Sequence, residues 1–287
     1  MASTVSDDLR LPDLRFVPTE SLVPHEQHDE QRLQALVHRI RDQAVLKNPP
    51  VVAAISQNGQ KGTRYMLLDG ANRATAARAA GLPHIVVQVV RYGEPEVQLS
   101  TWYHALGQFP RADLESALGQ VTGLEPRSAQ RMNARALVAR REALAFVTYE
   151  DGSATTLHGG HGIEERNALL NAVVDRYRDR GHFYRVTTDT VDQARVGHPD
   201  VTAVVVFPHF EPAEILDLAT SGARLPAGIT RHVIRWRALR LNVPLHRLAD
   251  TDHTLDQKNQ WLEDWIREKL SSRQVRFYEE PTVLFDE

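Results

Sequence analysis

The stretch from Arg64 to Gly81 constrains the fold more than any other part of this sequence. It begins with an apolar run, Tyr65 to Leu68, passes through Asp69 and a glycine, and continues into an alanine-rich segment that ends at Gly81. The apolar run predicts a buried strand, and the alanine-rich segment predicts a helix that ends, as helices often do, at a glycine. A strand that leads through a tight turn into a helix indicates a mixed α/β fold.

The turn of this unit, from Asp69 to Arg73, has the residues that a phosphate site needs. A helix start leaves backbone N–H groups without partners, and the positive end of the helix dipole adds to their attraction for an anion. Gly70 allows a ligand to approach the backbone, Arg73 supplies a cation, and Asp69 is a candidate ligand for Mg²⁺ or a helix cap. The local pattern also fits a capped helix with one exposed arginine, since short glycine motifs are weak signals.

Further apolar patterns along the chain predict two domains. Apolar residues spaced by three, one and three predict a helix after Asp29, and Ile85 to Val90 reads as a buried strand. We predict a first domain over residues 1–105 and a second α/β domain over 106–287, with the boundary between 106 and 125. The second domain is predicted to hold helices at 112–123, 129–144, 164–180, 211–219 and 257–270, strands at 145–149 and 201–207, and an extended segment at 229–241.

Glu26 lies in the sequence His25-Glu26-Gln27-His28, just before the first predicted helix. Zinc-binding HExxH motifs place two histidines four residues apart on one helical face, whereas the histidines here are three apart and precede the helix. We therefore interpret Glu26 as a lone carboxylate on a loop, which accepts a proton from a substrate hydroxyl. A solvated surface glutamate is the alternative that the sequence leaves open.

Two later segments combine hydroxyl, aromatic and basic side chains. The candidate residues are Ser100, Thr101, Trp102 and His104 in the first segment, and Thr230 and Arg231 in the second. The planar guanidinium of an arginine suits a carboxylate or a phosphate, because it donates two parallel hydrogen bonds. The competing interpretations are core packing at a domain junction for the aromatic residues and a surface arginine on a strand.

Composition and absent motifs exclude several classes of function. The 34 basic and 37 acidic residues nearly cancel, which argues against a general nucleic-acid coat. The basic stretch from Arg127 to Arg141 is predicted to spread around a helix as a solvated face rather than to form a DNA-binding stripe. The sequence has no cysteine, no P-loop and no protein-kinase signature, so thiol chemistry and those phosphoryl-transfer scaffolds are excluded.

No apolar run approaches the roughly 20 residues that span a bilayer, and the N-terminal residues lack the pattern of a signal peptide. We therefore expect a soluble, cytoplasmic protein that does not contact the membrane.

Taken together, these segments resemble the ParB/sulfiredoxin-like superfamily and, within it, the free L-serine kinases. The segments that carry the resemblance are His25-Glu26, Arg64 to Arg73, Ser100 to Trp102 with His104, Pro226 to Arg231, and Leu241 to Leu245. The late segments lie outside the nucleotide-binding fold that the superfamily shares. They are therefore more specific than the DG-x-x-R turn, which marks only the superfamily.

The resemblance implies a ParB/sulfiredoxin-like N-terminal domain with a mixed sheet, and a second α/β domain that completes the substrate site. It implies transfer of a phosphoryl group from ATP, or ADP in some relatives, with Mg²⁺, to free L-serine. The product would be O-phospho-L-serine for siderophore or another amino-acid-derived biosynthesis. The roles implied are Glu26 and Asp69 as catalytic residues, Asp69 as metal ligand, Gly70, Ala71, Asn72 and Arg73 as nucleotide contacts, and Ser100, Thr101, Trp102, His104, Thr230 and Arg231 as substrate contacts.

Two departures from the superfamily's patterns bear on this prediction. Sulfiredoxins place a nucleophilic cysteine at the phosphate-binding turn, so the absence of cysteine excludes the redox branch. The kinase pattern is usually DG-x-H-R, and Asn72 stands here in place of the histidine. Asparagine donates a hydrogen bond but carries no proton or charge to the reaction, which predicts slower turnover or another substrate.

Two alternatives stay open at this point. One is a nucleotide-responsive, ParB-like regulator with DNA as its partner, and the other is a sensor of nucleotide or amino acid without turnover. A homodimer is a further expectation.

Overall fold

A five-stranded mixed sheet forms the N-terminal part of the protein, in the order β1-β6-β4-β5-β2. The computed structural model describes residues 11–27, 44–55, 62–180 and 182–278, so the helix predicted after Asp29 lies outside the described residues. The strands are β1 (Asp13–Pro18), β2 (Leu22–Pro24), β4 (Val51–Ile55), β5 (Arg64–Asp69) and β6 (His84–Val90). Strand β2 pairs with β5 in parallel, as β4 does with β6, whereas the β1–β6 and β4–β5 pairs are antiparallel.

The predicted strand–turn–helix unit is confirmed. Strand β5 ends at Asp69, and helix α1 (Ala71–Ala79) begins after Gly70, whose φ of 87° lies in the left-handed region that favours glycine. Gly81 follows the helix with a φ of 73°, as expected of the residue that terminates it. The predicted mixed α/β class is therefore correct.

A second sheet of six strands follows in the order β12-β8-β13-β10-β11-β9, and all its pairs are antiparallel. Its strands are β8 (Tyr103–Gly107), β9 (Glu125–Gln130), β10 (Ala145–Tyr149), β11 (Ser153–His158), β12 (His182–Val186) and β13 (Val201–Val206). Its helices are α2 (Arg111–Gly119), α3 (Arg131–Ala139), α4 (Gly162–Asp175), α5 (Val191–Arg195) and α6 (Pro212–Ser221).

Two short antiparallel ribbons connect the parts of the molecule. Strand β7 (Val97–Thr101) pairs with β14 (Thr230–Ile234), and β3 (Val45–Leu46) pairs with β15 (Val243–Pro244). Helices α7 (Leu245–Ala249) and α8 (Leu255–Ser271) follow the second ribbon. The chain thus returns to its N-terminal part after it has built the second sheet.

The two faces of the first sheet pack against different partners. One face buries residues such as Phe16 and Ile85 with Leu248 and Leu262 of the two C-terminal helices. The Asn259 side chain fixes α8 to β1, because its Oδ1 accepts a hydrogen bond from the Phe16 N–H at 2.7 Å. The predicted assignment of all residues from 106 to 287 to a second domain therefore differs from the structure, in which residues 243–271 pack with the first sheet.

The opposite face of the first sheet contributes to the core of the second part of the molecule. Met66 and Leu68 of β5 are buried in one cluster with Val147 and Val205 of the second sheet. This shared core fixes the end of β5 relative to the second sheet. Among the described residues, no helix has both the length and the apolarity needed to cross a membrane.

Two predicted elements are wrong in their extent. The helix predicted over 129–144 is shorter, Arg131–Ala139, and the exposed edge strand β9 precedes it. The extended segment predicted over 229–241 ends at Ile234, because Trp236 and Arg240 adopt positive φ values of 58° and 53° and turn the chain.

Candidate active site

The loop that carries Glu26 and the turn that carries Asp69 lie side by side at one edge of the first sheet. In the parallel pair β2–β5, Pro24 is opposite Leu67, and Glu26 and Asp69 each come two residues after their member of this pair. Parallel neighbours in a sheet are about 4.8 Å apart, so the two chains leave the edge together. The structure therefore brings the predicted base and the predicted phosphate turn to one place.

The Glu26 carboxylate is fixed by a segment more than 200 residues away in the sequence. Its Oε1 accepts hydrogen bonds from the N–H groups of Ile229 at 3.1 Å and Thr230 at 2.6 Å, and from the Thr230 hydroxyl at 2.7 Å. Its Oε2 accepts one from the Gly228 N–H at 2.9 Å. Within the described ranges, Oε2 thus accepts a single bond and keeps a lone pair for a ligand, whereas Oε1 is saturated.

Backbone pairing on either side of Glu26 holds the same two segments together. The Leu225 N–H donates to the His25 carbonyl, and the Gln27 N–H donates to the Leu225 carbonyl, both at 2.8 Å. These hydrogen bonds fix the backbone on both sides of Glu26, so the position of the carboxylate does not depend on its side chain alone.

The His104 side chain holds the Gly228 segment that binds Glu26. Its Nε2–H donates to the Gly228 carbonyl at 3.2 Å, and its Nδ1 accepts from the Tyr177 hydroxyl at 2.7 Å. The ring is fully buried, and burial lowers the pKa of His104 to about 3, so the side chain is neutral. The predicted substrate contact at His104 is therefore not exposed to a ligand; instead, the ring positions Gly228.

Gly228 itself has a φ of 79°, and the Arg185 guanidinium lies where a Cβ atom would stand. We expect Gly228→Ala to lower the free energy of unfolding by about 1–2 kcal/mol, since a side chain in the left-handed region is strained. Urea unfolding measures this loss. Gly119→Ala is the matched control, because a Cβ atom there meets nothing within 4 Å. An unfolding midpoint for Gly228→Ala equal to that of the wild type would contradict the account.

The Asp69 turn concentrates charge at the start of α1. The Asp69 carboxylate accepts hydrogen bonds from Arg73 at 2.8 Å and from Arg237, a residue that the sequence analysis did not single out. Burial acts to raise the pKa of Asp69, but the charges of Arg237 and Arg73 outweigh it and hold this pKa below its ordinary value. The turn thus combines one carboxylate with two guanidinium groups.

The other residues of the turn contribute to the predicted phosphate site. The first hydrogen bond of the helix runs from the Ala74 N–H to the Gly70 carbonyl, so the N–H groups of Ala71 and Asn72 lie at the helix start, where they have no acceptor within the helix. A Cβ atom on Gly70 would lie 3.0 Å from the Pro50 Cα and from the Arg73 guanidinium. Glycine is therefore required here both for its φ and for space.

The predicted substrate residues lie on two faces of the β7–β14 ribbon. Thr101 is opposite Thr230, and Ser100 is opposite Arg231. Side chains that are directly opposite share a face and alternate along a strand, so Ser100 and Arg231 face away from the Glu26 side of the ribbon.

The contacts of these residues agree with this division. Arg231 lies over the Trp102 ring, with its Cζ 4.6 Å from the ring centroid. Thr101 is buried, and its hydroxyl donates to the Pro208 carbonyl at 3.2 Å. Of these candidates, Thr230 is the residue whose side chain contacts Glu26.

The basic stretch between Arg127 and Arg141 is neutralised by acidic residues. The ion pairs are Arg127–Glu125, Arg131–Asp189, Arg135–Asp189, Arg140–Glu142 and Arg141–Glu214. Asp189 and Glu214 come from distant parts of the chain, which the local sequence pattern does not reveal. The stretch therefore offers little unpaired charge for a DNA backbone.

Sequence comparisons show which known proteins this chain resembles. The family model described as the ParB N-terminal domain matches residues 5–101. The chain is 26% identical over 278 residues to the ATP-dependent L-serine kinase SbnI of Staphylococcus aureus, covering 96% of this chain and 97% of that protein. It is 22% identical over 246 residues to the ADP-dependent L-serine kinase SerK of Thermococcus kodakarensis, covering 82% and 93%.

Solved structures show the same fold over most of the chain. The structure of C-terminally truncated SbnI from Staphylococcus aureus superposes with a TM-score of 0.67 at 23% identity, covering 91% of this chain and 97% of that one. A free serine kinase in complex with AMP superposes with a TM-score of 0.68 at 19% identity, covering 83% and 95%.

Proposed function

Because this chain belongs to the free serine kinase branch of the ParB-like proteins, as its sequence motifs predicted, we propose that it phosphorylates free L-serine. The phosphoryl donor is ATP or ADP, the two nucleotides named for the relatives, and the product is O-phospho-L-serine. As the family resemblance implied, we assign the product to siderophore or another amino-acid-derived biosynthesis.

One observation carries the proposal. Oε2 of Glu26 keeps a lone pair, and the strand before Glu26 is paired with the strand that leads into a helix start with a glycine turn and a fixed arginine. Phosphoryl transfer needs positioning, neutralisation of charge and a base for the hydroxyl more than it needs covalent chemistry. These two groups, at neighbouring strand ends, supply the base and the neutralisation.

The roles follow from the chemistry of each group. Oε2 of Glu26 takes the proton of the serine hydroxyl as that oxygen forms its bond to phosphorus, and the bond from phosphorus to the leaving oxygen of the nucleotide breaks. The N–H groups at the start of α1 and the Arg73 guanidinium hold the phosphates of the donor. The guanidinium groups of Arg73 and Arg237 favour an anion at the position that the Asp69 carboxylate occupies. When phosphates bind, they therefore compete with Asp69 for these two arginines.

Mg²⁺ fits this turn in the way that it usually binds nucleotide enzymes. It takes one or two carboxylates together with substrate phosphates, and it keeps several waters. Asp69 is the carboxylate that would hold it, and the ion would neutralise charge on the transferred phosphoryl group. Among the described residues, no group of three or more histidine and acidic side chains could hold a metal ion by itself, so Asp69 and the phosphates of the donor would hold Mg²⁺ together.

We assign recognition of the serine itself to the Thr230 side of the ribbon. Thr230 contacts Glu26 directly, so an amino acid whose hydroxyl reaches Oε2 of Glu26 lies within reach of this segment. Ser100, Thr101, Trp102 and Arg231 shape the ribbon that carries Thr230, and Arg231 does so from the opposite face, where it lies over the Trp102 ring.

Product formation tests the function. Purified protein is incubated with L-serine, Mg²⁺ and either ATP or ADP, and phosphoserine is detected by mass. D-Serine, L-threonine and L-homoserine serve as acceptors for comparison, because Asn72 raises the question of another substrate. We expect phosphoserine from L-serine with at least one donor. The absence of product from any acceptor with both donors would contradict the proposal and favour a nucleotide-binding regulator or sensor.

A further inference from the structure

The hydroxyl group of Thr230 lies between two hydrogen-bond acceptors, and we propose that it acts as a switch that follows the charge of Glu26, with His25 as its second acceptor. The inference rests on the proposed function, since it concerns the same base. It assigns to His25 a positioning role in the reaction, which the family resemblance does not provide.

His25 carries its ring hydrogen on Nδ1. Its Nδ1 lies 2.5 Å from the Leu67 carbonyl oxygen, and a carbonyl only accepts, so Nδ1 carries the hydrogen. The side chain is 4% exposed, and burial lowers its pKa, although the nearby Glu26 acts in the opposite direction. The ring is therefore neutral and has a single N–H, which leaves Nε2 as an acceptor.

Thr230 has a single hydroxyl hydrogen for two acceptors. Its Oγ1 lies 2.8 Å from Nε2 of His25 and 2.7 Å from Oε1 of Glu26. A hydroxyl has one hydrogen to donate, so only one of these two contacts is a hydrogen bond at any time. The Thr230 backbone is held by its N–H bond to Glu26 and by its pairing with Thr101, so the hydroxyl changes its acceptor by rotation alone.

The acceptor to which the Thr230 hydroxyl donates changes during the reaction. While Glu26 is ionised, the hydroxyl hydrogen points to its Oε1, since a hydrogen bond to a charged acceptor is the stronger one. When Oε2 takes the proton of serine, Oε1 becomes a weaker acceptor, and the hydrogen turns to Nε2 of His25. Both charge states of Glu26 thus leave the hydroxyl satisfied, and His25 reduces the cost of protonating the base.

Several ionisable groups lie near His25 and Thr230. His232 of β14 meets His25 edge to face, with a ring-centroid distance of 5.3 Å, and burial together with His25 lowers the pKa of His232 to about 3. Its Nε2 is paired at 3.0 Å with the hydroxyl of Tyr92, whose pKa burial raises. The charge of Asp69 acts to raise the pKa of His232, against the effect of burial. The Arg178 guanidinium donates a hydrogen bond to Oε1 of Gln27 at 3.1 Å.

A first experiment tests the switch without using activity. In ¹⁵N-histidine NMR spectra, we expect His25 to be the Nδ1–H tautomer with a free Nε2 acceptor. Glu26→Gln removes the charged acceptor, so the Nε2 signal shifts upfield as the Thr230 hydrogen turns to it, and this shift is lost when Thr230→Val is added. An Nε2–H tautomer, an imidazolium, or an Nε2 signal that Glu26→Gln leaves unchanged would overturn the proposal.

A second experiment uses the pH dependence of kcat. His25→Asn keeps a donor for the Leu67 carbonyl but removes the second acceptor, so Thr230 stays bound to Glu26. We expect kcat to fall about tenfold and its acid limb to move to lower pH by about one unit. Thr230→Val should move the limb to higher pH instead, and Thr230→Ser should restore both kcat and the limb.

The control for the kinetic experiment is His161→Asn, an exposed histidine outside the site. Lower kcat in both test variants with an unmoved acid limb would indicate a merely structural role and would overturn the switch. If the wild type makes no phosphoserine, the proposed function fails, and the NMR experiment alone still decides whether the switch exists.

Discussion

Replacing Glu26 by glutamine is expected to lower kcat for phosphoserine formation by about 10²- to 10⁴-fold, the usual contribution of a general base. Glutamine has nearly the shape of glutamate but cannot take the serine proton. Its amide oxygen still accepts from the Thr230 N–H, which keeps the 228–230 segment near its place. Steady-state kinetics at saturating nucleotide and serine measures the loss.

The same variant must still bind nucleotide, because Glu26 and the phosphate turn are on separate strands. Calorimetric titration with the donor nucleotide checks this point, and an unfolding curve checks that the variant is folded. Glu20→Gln is the matched control, since Glu20 is exposed and lies in the 3₁₀ turn just before β2. Turnover of Glu26→Gln within twofold of the wild type would remove Glu26 from the role of base.

Replacing Arg73 by glutamine is expected to weaken nucleotide binding by about 10- to 100-fold, since hydrogen bonds to charged groups contribute about 1.5–3 kcal/mol. The Arg73 side chain is 17% exposed and is oriented by its ion pair with Asp69. The side chain is therefore already ordered when a phosphate binds, so binding does not cost the conformational entropy of ordering a free side chain. Titration with ATP and with ADP measures the change.

One further variant separates the shape of Arg73 from its charge, and a second serves as a control. Arg73→Lys keeps the positive charge but loses the planar pair of donors, so we expect a loss of affinity between those of the wild type and Arg73→Gln. Arg91→Gln removes an exposed arginine outside the turn and should leave affinity unchanged. Wild-type affinity for nucleotide in Arg73→Gln would show that the phosphates lie elsewhere.

The local parts of the site could be predicted from the sequence, whereas its assembly could not. The strand, turn and helix around Asp69 follow from residues that are adjacent in the chain. The anchoring of Glu26 depends on backbone N–H groups more than 200 residues away, and backbone groups leave no trace in residue identity. The Arg237 partner of Asp69 is likewise 168 residues away.

Errors in the predicted elements have similar causes. Strand β9 is the edge of its sheet and is exposed along most of its length, so it lacks the apolar alternation that marks a strand. Helix α8 has an apolar face with Trp261, but an amphipathic pattern does not say which sheet it covers. The neighbours of His104 in the chain predict a substrate contact, whereas its burial depends on tertiary packing, which those neighbours do not reveal.

The most direct test of the central claim follows the oxygen atom of the serine hydroxyl. L-Serine labelled with ¹⁸O at the hydroxyl is incubated with the protein, Mg²⁺ and ATP or ADP, and the product is analysed by mass and by ³¹P NMR. We predict phosphoserine that retains ¹⁸O in the bridge between carbon and phosphorus. Phosphoserine without the label in that bridge, or no phosphoserine with either donor, would contradict this prediction.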